Sequence, residues 1–164
     1  MTSKVVNRLI IVLGLLFASH ISFAGNVKVY SGNSGYTRDI ICTVSNSKVY
    51  SKNSSYSRDI LYTIRGNTIY SGQSSYSRDI VCTIRNGKVY KGNSSYSSDV
   101  LFTIKNGSLY RGNSSYTRDI VANKRNGKVY SGTSSYTKDI LFTIDGSLTI
   151  EEFVAVYLVV LYTY

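Results

Sequence analysis

A period of 20 residues is the feature that most constrains this chain. The stretch VYSGTSSYTKDILFTI (129–144) recurs with small edits, so that six units begin at Val29, Val49, Ile69, Val89, Leu109 and Val129 without insertion or deletion. A fixed period of this length marks a repeat architecture, in which each unit is one supersecondary element that cannot bury its apolar face alone. Within the units, ILYTIR (60–65) and VCTIR (81–85) have strand composition, and residues 88–92 open another strand. Between such strands stand Asn86-Gly87, Asn106-Gly107 and Asn126-Gly127, the preferred type I′ turn pair, with Gly66-Asn67 a near relative. Each unit boundary is therefore expected to be the turn of a β-hairpin. The intervening GNSSYSSD (92–99) and its equivalents lack strand periodicity and read as connections to the next hairpin.

A two-residue turn at Asn86-Gly87 sets Arg85 opposite Lys88, Ile84 opposite Val89 and Thr83 opposite Tyr90. Strict alternation then assigns Ile80, Cys82, Ile84 and Val89 to the core, and Val81, Thr83 and Tyr90 to the other face. The central core column runs Cys42, Tyr62, Cys82, Phe102, Ala122, Phe142, small then aromatic. Large beside small fills confined space, and the expectation is that consecutive hairpins interdigitate here as 40-residue pairs repeated three times. Cys42 and Cys82 share that column with Tyr62 between them, at roughly twice the 4.8 Å strand spacing. A disulfide needs Cα atoms within about 7 Å, so two free buried thiols are expected unless the hairpins close in a ring and this column converges on its axis.

Residues 1–24 read as a cleaved signal peptide: Lys4 and Arg8, an apolar run from Leu9 to Phe17, then Ser22 and Ala24 at the cleavage positions. The protein is accordingly expected to be secreted or periplasmic, with no membrane span once the signal is removed. The only histidine, His20, lies in that segment, which excludes serine-histidine, cysteine-histidine and histidine-zinc chemistry from the remainder. No cofactor or metal is expected, and no calcium-loop spacing occurs. Beyond residue 24 stand 17 basic and 9 acidic residues, a net charge of +8 that favours anionic partners. Sparse continuous basic runs disfavour nucleic acid. At the other end, Thr149 and Glu152 form a capping box and Leu148 with Phe153 a hydrophobic staple, so a short helix is expected from about Ile150. Its apolar continuation suits a cap over an open end or central mouth of the array, with a final strand as the alternative.

The recurring VYxGxSSYxxDIxxTIxNG pattern and the closing LTIEEFVAV resemble the secreted bacterial β-flower repeat families over roughly residues 28–164. That resemblance implies a fold, hairpins arranged radially like petals, and carries over no catalytic residue. The expected fold is all-β: six 20-residue hairpins across residues 25–148 in a radial, flower-like or stacked array, closed by a capping segment at 149–164. An open β-solenoid or a trefoil-like arrangement with 40-residue pseudo-threefold symmetry stands as the alternative. The fifth unit departs from the pattern, VANKR replacing VCTIR, and puts Lys124 in a core column as though this hairpin were an edge or seam.

Two sets of side chains suit ligand contact. Tyr36, Tyr56, Tyr76, Tyr96, Tyr116 and Tyr136 lie in the polar connections, where their rings can serve as stacking platforms. Arg85, Lys88, Lys124, Arg125 and Lys128 cluster at hairpin tips and set like charges across strand pairs, which folding alone does not favour. The invariant Asp39, Asp59, Asp79, Asp99, Asp119 and Asp139 precede strands and are expected to fix turns by accepting backbone N–H groups. These features point to a non-enzymatic exported scaffold that binds glycan or anionic envelope polymer. A carbohydrate hydrolase using two of the aspartates, and a purely structural envelope protein, are the alternatives.

Overall fold

The computed structural model describes residues 25–163, and the expected signal peptide lies outside them. Twelve short strands follow in order: β1 (Val27–Ser31), β2 (Ile40–Ser45), β3 (Lys48–Ser51), β4 (Ile60–Arg65), β5 (Thr68–Ser71), β6 (Ile80–Arg85), β7 (Lys88–Lys91), β8 (Val100–Lys105), β9 (Ser108–Arg111), β10 (Ile120–Arg125), β11 (Lys128–Ser131) and β12 (Ile140–Asp145). Each pairs antiparallel with the next. Between the first and last, Lys28 meets Asp145 and Val29 meets Ile144, so the sheet closes into a barrel. Closure gives every hairpin edge a partner and leaves no ladder open to other chains. It excludes the open-solenoid alternative. Hairpin five is also no seam, because β10 pairs with β9 on one side and β11 on the other.

The hairpin tips follow from their turn residues. Asn86 and Gly87 both take positive φ, +50° and +71°, which is the type I′ signature. The expected register holds, with Arg85 opposite Lys88, Ile84 opposite Val89 and Thr83 opposite Tyr90. Between hairpins, however, a β-bulge interrupts the alternation: Ile69 pairs with Cys82 but Tyr70 with Ile80, leaving Val81 as the extra residue. Ile80 therefore shares the outer face with Tyr70, and Val81 packs against the inner cluster that holds Cys82, Ile84 and Val89. The assignment of Ile80 to the core and Val81 to the opposite face is corrected accordingly.

Helix α1 (Ile150–Thr163) starts as its capping box requires. Thr149 Oγ1 accepts the Glu152 N–H at 3.2 Å, and Glu152 Oε2 accepts the Thr149 N–H at 2.9 Å. The helix is more than a lid. Every residue from Phe153 to Val159 is buried, in one cluster with the inward-facing Val29, Val49, Ile69, Val89, Leu109 and Val129. It runs inside the barrel, from the hairpin-tip end toward the opposite end. A helix apolar all round needs a surround, and a twelve-strand barrel encloses more space than its own side chains fill. Their lengths agree as well, since 14 residues of helix span about 21 Å and six-residue strands about 20 Å.

The alternating column packs on this helix. Phe102 meets Tyr157 edge-on with ring centroids 5.5 Å apart, and the Phe142 ring lies 6.4 Å from Phe153. Large and small side chains thus fit the barrel to an uneven axle, where interlocked hairpin pairs were expected. Cys42 and Cys82 are free and buried, as anticipated. Their strands, β2 and β6, are four strand spacings apart instead of two, and α1 fills the lumen toward which both face. Burial pushes each thiol up to about 12.

Candidate functional site

Six connections, one per unit, lie at the barrel end opposite the hairpin tips, and all fold alike. Each begins at a residue in the left-handed region, φ +53° to +59°: Gly32, Lys52, Gly72, Gly92, Gly112 and Gly132. Each ends in one turn of 3-10 helix, Thr37–Asp39 in the first. The serine hydroxyl then fastens the loop. Ser34 Oγ donates to Asp39 Oδ2 at 2.6 Å and accepts the Tyr36 N–H at 3.2 Å, an arrangement repeated in all six copies. The aspartates thus fix the turn through a serine hydroxyl and not, as expected, by accepting backbone N–H groups. Ser34 and Asp39 are both invariant across the six units, five residues apart.

A second tie holds each loop to the barrel wall. Thr83 Oγ1 donates to the Gly92 carbonyl at 2.9 Å, and Thr143 Oγ1 donates to that of Gly32 at 2.7 Å across the closure. In the fifth unit Asn123 takes this position, Nδ2 donating to Gly132 O at 2.6 Å and Ser134 O at 3.1 Å. Its Oδ1 is buried with no partner among the described residues.

Held this way at both ends, the loops display their tyrosines. Tyr36, Tyr56, Tyr76, Tyr96, Tyr116 and Tyr136 are 64–73% exposed, far more than any other tyrosine among the described residues but Tyr162. In four loops an arginine two residues on lies over the ring: Arg38, Arg58, Arg78 and Arg118, with Cζ 5.1–5.3 Å from the centroid. Three of these also place Nε 3.7–3.9 Å from the neighbouring aspartate, exposed pairs that orient more than they stabilise. Beside Tyr56, a shallow depression of about 440 Å³ is lined by Lys52, Asn53, Ser54, Arg58 and Asp59.

The two anticipated ligand sets lie apart. The tyrosines sit on the loop end, whereas Arg85 with Lys88 and Arg125 with Lys128 face each other at the tips. Arg85 leans back along the outer wall and donates to Asn93 Oδ1 at 2.9 Å. Lys124 leaves the tip cluster altogether: it faces inward, Nζ 5.8 Å from the Phe153 centroid. Charge divides unevenly between the ends. The tip half carries nine basic and three acidic residues, the loop half eight and six.

Twelve strands in six antiparallel pairs around one axis, five joined by two-residue turns and the sixth formed by β1 against β12, decide the classification, and the family model described as "6-fold beta flower protein" matches residues 29–157. The chain belongs to the 6-fold beta flower family. No curated protein and no solved structure matches it. Membership of the β-flower family fits a non-enzymatic structural protein. Among the described residues of this β-flower, no helix is long and apolar enough to cross a membrane, and the strands have four to six residues. Strands of outer-membrane barrels need about 9–11.

Proposed function

We propose that this β-flower is an exported, non-enzymatic binding scaffold whose six tyrosine loops engage a repeating glycan of the cell envelope or exterior. One observation carries the reading: six aromatic rings stand exposed on identical, doubly fastened loops. Exposed rings beside serine, asparagine and charged groups suit a sugar, which offers an apolar face for stacking and hydroxyls for hydrogen bonds. The arginine over four of the rings favours anionic sugars. Lys52 adds to this. It holds the left-handed position that glycine holds in the other five loops, and it lines the depression beside Tyr56. Strain of that kind is tolerated where the side chain has a use.

Six weak sites on a rigid ring bind a polymer by avidity, so successive losses compound. Retention of the mature protein on immobilised envelope polysaccharides tests the reading. Tyr56→Ala should weaken retention modestly, and Tyr56→Ala, Tyr76→Ala and Tyr116→Ala together should weaken it far more than three times as much. Absence of retention at low salt, or indifference to the triple change, would sink it.

A further inference from the structure

We propose a second, separate site at the hairpin-tip mouth of the barrel, which binds a small carboxylate with a short apolar tail and uses Lys124 as its counter-ion. The inner position that closes each hairpin is Val44, Ile64, Ile84, Ile104 and Ile144 in five units, and Lys124 in the fifth. An ammonium in an apolar layer costs free energy unless something compensates it. No carboxylate among the described residues pairs with Lys124; the ion pairs present are those of the arginines in the loops. The Phe153 ring, 5.8 Å from Nζ, offsets part of the cost and leaves the N–H donors free.

Those donors border a space. A cavity of about 330 Å³ lies between the fourth hairpin tip, β10 and the start of α1, lined by Ile104, Lys105, Lys124, Leu148, Ile150 and Phe153. Its volume falls at the lower end of small-molecule pockets, and its wall is mainly apolar, with Lys105, Asn106, Lys124 and Thr149 as the polar residues along it. The first turn of α1 adds the positive end of a helix dipole. The opposing charges of that turn are Glu151 and Glu152, and Glu152 Oε2 already accepts the Thr149 N–H. An occupant matching this lining has one carboxylate for the lysines and a few methylenes for Ile104, Leu148 and Phe153. The single departure from six-fold apolar symmetry thus coincides with the cavity that it would serve.

Titration of the mature protein with hexanoate, 1-hexanol and hexylammonium, followed by amide and methyl NMR shifts, tests this. Hexanoate should bind more tightly than the other two and shift Ile104, Leu148 and Phe153. Lys124→Ile restores the residue of the other units, so the fold should survive, and hexanoate affinity should fall about tenfold toward that of hexanol. Lys124→Gln, which keeps the side chain polar, should fall similarly, and Lys124→Arg should retain the preference. Equal affinity for hexanoate and hexanol, or hexanoate binding unchanged in both Lys124→Ile and Lys124→Gln, would overturn the proposal.

Discussion

Single residues in this protein are best understood as departures from a sixfold average. Lys52 adopts φ +53° where every other unit has glycine, and an L-residue there is strained by roughly 1–2 kcal/mol, partly offset by the freedom that glycine loses on folding. Lys52→Gly should therefore raise the denaturation midpoint by an amount worth about 0.5–1 kcal/mol, while glycan retention declines. A concurrent gain in both would show that the lysine has no role in binding. The aspartate column works in the opposite direction. Asp119 accepts the Ser114 hydroxyl, and Asp119→Asn replaces a charge-assisted bond with a neutral one, an expected cost of about 1 kcal/mol in urea unfolding. Cys42 and Cys82 have thiols pushed up to about 12, above the unfolded value near 8.5. Because the unfolded chain releases those protons first, their contribution is fully present below about pH 8.5 and is lost as pH rises toward 12. Cys42→Ala with Cys82→Ala should flatten the alkaline fall in stability, measured against the parent over that range. The invariance of Ser34 and Asp39 was legible in the sequence, but their bond was not, because a hydroxyl-carboxylate contact depends on the loop's course and not on residue type.

At the level of elements, the hairpins were legible and their junctions were not. Asn-Gly pairs dictate tight turns from two residues alone, which is why the register at Arg85 and Lys88 holds. The bulge at Val81 is invisible to alternation, since all six units carry the same extra residue and no unbulged copy exists for comparison. That one residue moved the Ile80 column to the outer wall. The capping box located the start of α1 for the same local reason that the turns were found, yet its place inside the barrel is a long-range property of the ring. Cys82 lies fully buried on the wall facing this helix. Cys82→Phe should overpack it and cost about 1–3 kcal/mol. Truncation after Leu148 should remove the barrel's filling and abolish its cooperative thermal transition. A sharp melt in the truncated chain would mean that the strands stand without their axle.

The whole molecule has two unlike ends: a tip half that is strongly basic and a loop half that is tyrosine-rich and nearly balanced in charge. Replacing Arg85, Lys88, Arg125 and Lys128 by Ser should flatten the salt dependence of retention on an anionic polymer, and leave binding to a neutral glycan intact. Stability should change by only about 1 kcal/mol or less, since like charges are relieved at exposed sites. Loss of both kinds of binding would show that the ends do not act separately. The ring is sealed by β1 against β12, and its interior is filled by α1, the last element of the described chain. During synthesis, therefore, neither the seal nor the filling exists until β12 and α1 have emerged. A ribosome-bound or partly threaded chain is an incomplete sheet with bare edges and an empty apolar inner face, and it has no native state to fall into. The timing of folding is thus set by β12 and α1, and a chain that has not yet gained these two elements stays open and threadable.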